Sequence, residues 1–545
     1  MHLKTFRVLK VLRASDTGKG LLNQIEIPTS WPPPTQTITS TSQLEDPKTC
    51  SEWKLIRDPT EIEYYLMLRN RLHFGQAQGS PFTEPPLSQT IDWAASTEAA
   101  NRILEGTYSP DAATTQVRQL LRECTFAASP DAIPNVLSFE AFRAKIISWR
   151  ETTTTSPSGR HLGRYKAMFA RIPTTDDEAS PTFSDKQEQI ARLKLSLINY
   201  CLRNIYVLQR WKTIVNIMIF KEPGNCKIHK LRVIHIYEAD FNALCAIKWR
   251  STLHFAVNNH LINEGQYGGR PGCEAQSLTL LEELKYDLSF LTRRSLFNFD
   301  NDATSCYDRI VVSLASLLNR KYGLDRKVVA VHAATLQEAQ FRLKTATGIS
   351  DIAYTHCSEF PIHGTGQGSG NSPCIWLFIS STLFDLHAAQ SYGASFYSPD
   401  GTESLRMSMV GFVDDSTGTC NDFQPQNQVS LDELFRRMEA DAQLWSDLLY
   451  STGGRLELQK CSFHLLHFEF LPNGRPVPVP AQYNNRIHIY EADTKSRIPI
   501  PSKRSFETHK TLGHHKAPNS VNPSTQILQE KADRLSLLLA TSSIT

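Results

Sequence analysis

Aspartates follow two apolar, strand-like runs of this 545-residue chain. The run SLFNFDNDATSCYD carries Asp300, Asp302 and Asp308, and the run MSMVGFVDD ends in Asp414 and Asp415. Adjacent like charges repel each other, and bound divalent cations convert this repulsion into attraction. Two such cations, about 3.5 to 4 Å apart, can activate an attacking hydroxyl and stabilise a leaving phosphate group. Aspartates that only form turns are the common alternative, so the pattern needs support from other segments.

Short strands are predicted around these carboxylates. The candidates are residues 214–220, 231–237, 296–300 and 408–413, which are apolar runs of strand length. Asp414 and Asp415 are predicted to lie at the tip of a hairpin. Together with the helices between them, the strands indicate an α+β fold in which a small central sheet is flanked by helices. After about residue 471 the chain is predicted to be rich in loops, with a final helix over 524–540.

Two helices carry signals at their ends or along one face. Ser430 and Glu433 form a capping pair that begins a helix extending to Tyr450, and two glycines follow it. A second capping pair, Ser184 and Gln187, begins another helix, whose apolar residues form a stripe of helical spacing. The residues of this stripe are Ile190, Leu193, Leu197, Tyr200 and Cys201.

Composition excludes several classes of protein. Apolar residues make up 40% and charged residues 21% of the chain, as in folded proteins and unlike disordered ones. No run of 18 apolar residues occurs, so no transmembrane helix is expected. The eleven cysteines are scattered without a CxxC pair, which argues against a disulfide scaffold or a zinc module and favours a reducing compartment.

Basic residues are concentrated in one part of the chain. The formal charge is only +3 overall, but residues 190–260 contain eleven Lys or Arg against three Asp or Glu, a local balance of +8. Such a block suits a polyanion, whose phosphates would displace counterions. A solvated basic face is an equally good interpretation of the charge alone.

Seven short segments follow one another in a characteristic order. They are SPSGRHLG (156–163), FKEPGNCKIHKLRVI (220–234), QYGGRPGCEAQ (266–276), DATSCYD (302–308), GQGSGNSP (366–373), FVDD (412–415) and GGRLELQKCSF (453–463). In this order they resemble the sequence blocks of reverse transcriptases from non-LTR (LINE-like) retrotransposons, over roughly residues 150–470. Any one block would be weak evidence, and the resemblance depends on all seven.

The resemblance implies a right-hand polymerase fold, in which fingers, palm and thumb surround a small antiparallel palm sheet. It implies RNA-directed DNA polymerisation, with Asp302, Asp414 and Asp415 as the catalytic residues. These three would bind two Mg²⁺ ions, for which Mn²⁺ is an alternative, and Asp300 would be a neighbour without a catalytic role. Lys460 would protonate the departing pyrophosphate, although a surface lysine is an equally good interpretation.

Further residues are implied to contact the incoming deoxynucleotide. Tyr307 would lie under the sugar and leave no room for a 2′-hydroxyl. Lys221 and Arg232 would bind the triphosphate, and Gln367 with Gly368 would pack against template and nucleotide. Each role has a simpler alternative. Tyr307 could be a core tyrosine, and Lys221 and Arg232 could be members of a general basic face. Gln367 and Gly368 could form a turn before a helix that begins near residue 372.

The same resemblance divides the chain into three segments. Residues 1–150 would be an N-terminal extension, with a linker followed by a mostly helical region. Residues 151–470 would form fingers and palm, and residues 471–545 a thumb or connection that is short or truncated. The implied partners are an RNA template, a DNA primer and dNTPs, with no membrane, and a nuclear location is implied by the family alone. The oligomeric state stays open.

Two rival functions remain. A retroelement relic or host-adapted RNA-binding protein would keep the fold and a basic channel without catalysis. A viral-type RNA polymerase shares the palm, but it usually carries a second acid five positions after the first, where this chain has Tyr307. His514 and His515 are interpreted as basic loop residues, because no cysteine pair accompanies them. No endonuclease, ribonuclease H or CCHC pattern is recognisable, so the chain is a candidate fragment of a mobile element.

Overall fold

A computed structural model describes residues 21–36, 38, 44–108, 114–150, 156–170, 185–398, 400–422, 429–492, 494–507, 509–512, 514–516 and 524–541. The predicted capping residue Ser184 lies outside these ranges. The chain forms two units, each assembled from separate stretches of sequence. Unit 1 comprises residues 1–114, 124–261 and 305–376, and unit 2 comprises residues 115–123, 262–304 and 377–545.

The strands of the described residues are mostly short. They are β1 (Ile25–Pro28), β2 (Trp53–Ile56), β3 (Thr213–Phe220), β4 (Leu231–Ile236), β5 (Leu296–Asp302), β6 (Gln340–Thr345), β7 (Gly348–Ile349), β8 (Tyr354–Thr355), β9 (Ala394–Tyr397), β10 (Ser404–Met407), β11 (Met409–Phe412), β12 (Asp415–Asn421), β13 (Ser462–Leu466), β14 (Phe468–Phe470), β15 (Pro476–Pro478), β16 (His488–Tyr490), β17 (Arg497–Pro499), β18 (Ser502–Lys503), β19 (His509–Thr511) and β20 (His514–Lys516).

Helices separate most of these strands. They are α1 (Pro59–Phe74), α2 (Leu87–Thr90), α3 (Glu98–Leu104), α4 (Thr115–Glu123), α5 (Phe139–Ser148), α6 (Leu162–Ala167), α7 (Asp185–Asn204), α8 (Ala239–Asn258), α9 (Ala275–Thr292), α10 (Val312–Lys321), α11 (Arg326–Gln337), α12 (Ser372–Gln390), α13 (Leu431–Ser451) and α14 (Ser524–Thr541). In the described part of the chain, no helix is both long enough and apolar enough to cross a membrane.

Unit 1 is organised around a five-stranded sheet of order β4-β3-β6-β7, with β8 also paired to β6. All pairs are antiparallel except β3 with β6, which are parallel. Helix α1 begins at Asp58, whose carboxylate accepts hydrogen bonds from the first backbone N–H groups. Its buried Arg69 donates to the carbonyl of Leu231 in β4 at 2.9 Å. The N-terminal helix is therefore part of this unit and not an appendage.

Unit 2 contains the sheet that carries the aspartates, in the order β11-β12-β5-β13-β18. Its pairs are antiparallel except β13 with β18. Phe297 of β5 stacks on Phe463 of β13 at 5.1 Å and meets Phe435 of α13 edge-on at 5.4 Å. Burial of large aromatic rings stabilises such a layer by about 2 to 3 kcal/mol each. Helix α13 covers this apolar face.

The mixed α and β architecture with small sheets is confirmed, but the described residues form two five-stranded sheets instead of one central sheet. The strands predicted over 214–220 and 231–237 pair in unit 1, whereas those predicted over 296–300 and 408–413 belong to unit 2. Apolar runs identify strands but do not specify partners, because pairing is decided by contacts between distant segments. The predicted segments 1–150, 151–470 and 471–545 stay predictions, since both units draw on more than one of them.

Helix α7 is where predicted, but most of its predicted stripe faces solvent. Ile190, Leu193, Leu197 and Tyr200 are exposed, and only Cys201 of the stripe is buried. The buried stripe consists of Ala191, Leu195, Ile198, Cys201 and Leu202. The sequence left open which side of the helix is buried, because α7 carries two apolar stripes and periodicity alone does not indicate which of them packs on the core.

The segment after residue 471 contains more strands than expected. Three antiparallel pairs, β14–β15, β16–β17 and β19–β20, replace the predicted loops. Each strand has only three residues, too few for an alternating pattern to be recognised. His514 and His515 therefore lie in β20 and not in a loop. The final helix, α14, agrees with the predicted range to within one residue.

Candidate active site

Asp414 lies in a hairpin turn, as predicted, whereas Asp415, predicted at the same tip, is the first residue of β12. Strand β11 pairs with β12 so that Phe412 is opposite Asp415, which leaves Val413 and Asp414 as the turn residues. Val413 has a φ of +62°, a region that β-branched residues rarely adopt and that hairpins of this length usually fill with glycine. The strained turn sets Asp414 beside the first residue of β12.

The β5–β12 pairing brings distant carboxylates together. Asp302, the last residue of β5, is the direct partner of Asp415 in the antiparallel register. Directly opposite residues have Cβ atoms about 4.5 to 5.5 Å apart and point to the same face of the sheet. Asp302 and Asp415 are therefore neighbours on one face, and Asp414 adjoins them on the turn.

The negative charges of neighbouring carboxylates affect the pKa of Asp415. The pKa of Asp415 is raised to about 6, first by partial desolvation and then by the negative charges of Asp414 and Asp302. The side chain still reaches solvent. A carboxylate in this condition binds a cation more favourably than an isolated one does, because the cation offsets repulsion that is already present.

Lys460 contacts the first of these carboxylates. Its Nζ donates to Oδ2 of Asp302 at 2.6 Å, while the lysine side chain remains 64% exposed. Partial burial would lower the pKa of Lys460, but the hydrogen bond and the charge of Asp302 outweigh it and raise that pKa. The resemblance implies a proton donor at this position, with a surface lysine as the alternative, and the structure places the amine against the Asp302 carboxylate.

A cavity of about 230 Å³ adjoins the carboxylates. Asp300, Asp302 and Asp415 line it, together with Leu278 and Thr279 of α9. Lys460 and Lys503 also contribute to its lining. A cavity with both charges and an apolar wall can hold a polar ligand and exclude part of its water.

Asp300 belongs to a polar row that sequence reasoning did not use. Asn298, Asp300 and Asp302 alternate along β5 and share the face that carries the carboxylates. The hydroxyl of Thr417 donates to Oδ1 of Asp300 at 3.1 Å, and His464 Nδ1 lies 3.7 Å from Oδ2. The sequence pattern that could have revealed this row is a polar residue at every second position of an otherwise apolar strand.

The other face of β5 anchors the strand. Asn301 accepts hydrogen bonds from the hydroxyl of Ser416 and from Nε1 of Trp445, the latter at 2.9 Å. Trp445 is buried in α13. Asn301 thus ties β5, β12 and α13 together one residue before Asp302, a role that its sequence context did not reveal.

Glycines of the QYGGRPG segment support the hairpin. Tyr267 donates its backbone N–H to the carbonyl of Gly411, and the N–H of Gly411 donates to the carbonyl of Gly265, both at 2.9 Å. A Cβ on Gly268 would lie 2.1 Å from the backbone N of Val413. Only glycine allows this approach, so the segment holds the turn that carries Asp414.

The carboxylates fit divalent cations by their chemistry. Mg²⁺ prefers oxygen ligands and is usually held by one or two carboxylates, with water and substrate phosphates completing its coordination. The facing pair Asp302 and Asp415, with Asp414 beside it, offers such ligands. Within the described ranges, no group of three or more His, Cys, Asp or Glu side chains is arranged to hold an ion by protein ligands alone.

The residues predicted to bind the triphosphate lie in unit 1. Arg232 on β4 is opposite Ile219 on β3, and Lys221 follows Ile219 by two residues, with its N–H bonded to the carbonyl of Lys230. Lys221 and Arg232 are therefore on the same face of this hairpin. Both side chains are exposed.

Gln367, Gly368 and Tyr307 are connected within the same unit. The carbonyl of Gln367 accepts from the N–H of His235 in β4 at 2.7 Å, and a Cβ on Gly368 would lie 2.3 Å from the His235 carbonyl oxygen. The carbonyl of Tyr307 accepts from Thr365 N at 3.0 Å. The predicted nucleotide-contacting residues thus all belong to unit 1, whereas the aspartates and Lys460 belong to unit 2.

Contacts within the chain engage part of the basic block. Lys194 Nζ lies 2.6 Å from Asp240, which also contacts Arg210, and Lys248 is buried and donates to two backbone carbonyls. Further ion pairs of this block are Arg192–Glu188, Lys212–Glu338 and Lys230–Glu222. The other five bases are further candidates for binding a polyanion: Arg203, Lys221, Arg232 and Arg250 are exposed, and Lys227 lies over the Trp53 ring at 4.6 Å.

A search against models of known protein families found no match for this chain. A search of curated proteins also found none.

Proposed function

We propose that this chain is an RNA-directed DNA polymerase of retrotransposon origin, which extends a primer 3′ end with deoxynucleotides on an RNA template. The observation that carries the proposal is the direct pairing of Asp302 with Asp415, next to Asp414 on a strained turn. Aspartates that only formed turns would not need to meet across a buried sheet. In this proposal the sheet of unit 2 is the palm of a right-hand polymerase, the β3–β4 hairpin belongs to the fingers, and residues 471–545 belong to the thumb.

The chain's own residues would share the work of phosphoryl transfer. Two divalent cations, when bound, supply the charge that activates the primer hydroxyl and stabilises the leaving pyrophosphate. Asp302, Asp414 and Asp415 are the proposed ligands. Lys460 holds a proton at Nζ beside them and is the proposed donor to the pyrophosphate.

Lys221 and Arg232 are proposed to bind the triphosphate, since both are exposed on one hairpin face and a guanidinium bonds phosphate oxygens in pairs. Gln367 and Gly368 would contact template and nucleotide. The RNA would be recognised through its backbone and A-form shape.

Primer extension on poly(rA)/oligo(dT) with Mg²⁺ tests the proposal. The parent protein is expected to extend the primer, and Asp414→Asn to lower the rate by roughly a hundredfold or more, because charge placed at the reacting centre is lost. Asp432→Asn is the matched control, since its carboxylate is 85% exposed and pairs with the surface residue Arg486. No product from folded parent that still binds RNA would favour the RNA-binding relic, and equal rates in all three would remove Asp414 from the site.

Tyr307 offers a separate test of the deoxynucleotide preference. Tyr307→Ala should increase incorporation of ribonucleotides relative to deoxynucleotides, because the ring no longer fills the space of a 2′-hydroxyl. The measurement is the ratio of kcat/KM for dTTP and UTP on the same primer-template. Tyr307→Phe keeps the ring and should keep the ratio of the parent. An unchanged ratio in the alanine variant would show that another group selects the sugar.

A further inference from the structure

The residue after Tyr307 is a buried aspartate whose partner is far away in sequence. Nε2 of His73 lies 2.9 Å from Oδ2 of Asp308, and the two side chains are 13% and 6% exposed, respectively. His73 is in the last turn of α1, within residues 1–150, for which the family resemblance implies only an N-terminal extension. The pair therefore connects this extension to the neighbour of the proposed sugar-contacting tyrosine.

Burial determines which of the two side chains carries the proton. Desolvation lowers the pKa of His73 to about 4, and the charge of Arg69 contributes to the same shift. Burial alone would raise the pKa of Asp308, but the hydrogen bond from His73 and the charge of Arg69 outweigh it and lower that pKa. At neutral pH the histidine is therefore uncharged, and the ionised aspartate can only accept. The proton that they share is on Nε2 of His73.

The direction of the Asp308 carboxylate is set by His73 and not by the nearby Arg69. Burial lowers the pKa of Arg69 to about 10, so the guanidinium stays protonated at neutral pH. Its hydrogen bonds go to Asn70 at 3.0 Å and to the carbonyl of Leu231 at 2.9 Å. Within the described part of the chain, the second carboxylate oxygen of Asp308 is buried without a hydrogen-bond partner. The bond from His73 is thus what orients this side chain.

The backbone of Tyr307 and Asp308 lies against the segment that leads to Gln367. The N–H of Thr365 donates to the Tyr307 carbonyl at 3.0 Å. A Cβ on Gly364 would lie 2.8 Å from the Tyr307 carbonyl oxygen and from Cα of Asp308, and Gly364 has a φ of +92°. Only glycine allows this approach. The two segments are therefore in direct backbone contact.

The end of α1 also contacts this second segment. The N–H of His363 donates to the carbonyl of Phe74 at 2.9 Å. The ring of Phe74 meets the ring of His235 edge-on at 5.2 Å, and the backbone N–H of His235 donates to the Gln367 carbonyl at 2.7 Å. The last residues of α1 thus hold both the Asp308 side chain and the segment that leads to Gln367.

We propose that His73 is a positioning residue for sugar selection, which acts through Asp308 to hold the Tyr307 ring where it excludes a 2′-hydroxyl. The inference rests on the proposed function, because Tyr307 selects a sugar only in a polymerase. The Tyr307 side chain is half-buried, so its placement depends on the backbone that carries it. Without His73, the buried carboxylate has to turn to another donor, and the adjacent residue moves with it. A misplacement of about 1 Å is enough to change rates by large factors.

The ratio of kcat/KM for dTTP and UTP on poly(rA)/oligo(dT) tests the proposal in the full chain. His73→Phe keeps a ring and removes the donor, so it should lower this ratio by roughly tenfold. His73→Gln places an amide N–H near the position of Nε2 and should restore the ratio to within about threefold of the parent. His73→Asn, whose shorter amide ends nearer to Nδ1, should behave like His73→Phe and replaces it if the phenylalanine variant does not fold.

Leu66→Ala is the matched control for a general loss of stability. Leu66 is completely buried two turns earlier in the same helix. Its truncation should destabilise the protein and leave the dTTP/UTP ratio unchanged, and circular dichroism confirms that each variant stays folded. An unchanged ratio in folded His73→Phe and His73→Asn would overturn the proposal. So would an equal decrease in Leu66→Ala, because the effect would then follow stability.

A second measurement reports on Tyr307 without requiring polymerase activity. With 3-fluorotyrosine incorporated only at position 307, the ¹⁹F resonance should shift or broaden in His73→Phe and return toward its parent position in His73→Gln. Leu66→Ala should leave the resonance in place. If the parent extends no primer but the resonance follows this pattern, the positioning role stands and the polymerase proposal fails. A resonance that does not respond to His73→Phe or His73→Asn would overturn the positioning role in an active or an inactive chain.

Discussion

Repulsion among the site carboxylates can be measured without any activity assay. Because the pKa of Asp415 is raised to about 6 by desolvation, Asp414 and Asp302, its ionised form destabilises the folded protein. Asp415→Asn should therefore increase the free energy of unfolding at pH 8 by about 1 kcal/mol, allowing for solvent screening. Urea unfolding followed by tryptophan fluorescence gives this value.

The pH dependence of that gain identifies its cause. A carboxyl group whose pKa is raised by folding destabilises the folded protein when the pH is above its folded-state pKa. It has no effect on stability when the pH is below its unfolded-state pKa. The gain should be complete above pH 6 to 7 and should vanish near pH 4. Asp432→Asn, at an exposed surface position, should show no gain at either pH. A gain that persists at pH 4 would mean that packing and not charge is responsible.

In the proposed function, Lys460 and a divalent cation would compete for the Asp302 carboxylate. Lys460→Met removes the amine that lies 2.6 Å from Asp302, so Mn²⁺ should bind roughly threefold more tightly, the effect of losing one partly screened ion pair. Calorimetric titration of Mn²⁺ into the apoprotein gives the dissociation constant. Lys503→Met is the control, because Lys503 lines the same cavity; equal effects of both variants would indicate a general loss of positive charge.

At the scale of elements, the site depends on three contacts of the β11–β12 hairpin. Strand β5 pairs with it along seven residue pairs, α9 packs beside β11, and the segment around Gly268 lies against its turn. Lys285 of α9 bonds both to Glu282 and to Asn298 in the polar row of β5. These bonds fix α9 and the sheet in a single packing register. A slip by one residue would turn Asp302 to the apolar face under α13.

Gly268→Ala tests the support of the turn. The new Cβ would lie 2.1 Å from the backbone N of Val413, so the hairpin must move, and the expected loss of stability is about 2 kcal/mol or more. Gly418→Ala on β12 is the control, because its Cβ would meet flexible parts of Met409 and Met438 at 3.3 and 3.5 Å and would lie in ordinary contact with Phe299 Cβ at 3.8 Å. Urea unfolding of the two variants measures the difference. Equal stabilities would show that the turn can shift without cost.

At the scale of the whole molecule, charge is more evenly compensated than the basic block predicted. Six of its eleven bases pair or are buried within the chain. If all five of the other bases contact phosphates, the slope of log affinity against log salt for single-stranded RNA should be about 3.5 in magnitude and no larger. Fluorescence anisotropy of a labelled RNA at several salt concentrations measures it.

Single substitutions refine this prediction. Arg232→Ala should reduce the slope by about 0.7, one phosphate contact on single-stranded RNA. Arg192→Ala should leave it unchanged, since Arg192 pairs with Glu188 on α7. A slope that corresponds to all eleven bases would mean that the ion pairs open when RNA binds.

Local signals determined much of the architecture in advance. The capping serine before α13 accepts from Glu433 N at 3.2 Å as expected, and the hairpin under the double aspartate follows from a strand that ends in turn-forming residues. These features depend on neighbours within a few positions, and backbone hydrogen bonding and side-chain sterics act at that range. The right-hand fold, the activity and the metal remain predictions from the resemblance.

Tertiary contacts alone decided the rest. The pairing of Asp302 with Asp415, the amine of Lys460 on Asp302, and the exposed face of α9 each join or orient segments through partners far away in sequence. Apolar periodicity shows that a helix has a face but not which face is buried, as α7 demonstrates. For α9, the buried ion pair Glu282–Lys285 determines which face of the helix is buried. Leaving a desolvated charge without its partner costs more free energy than exposing a leucine to water.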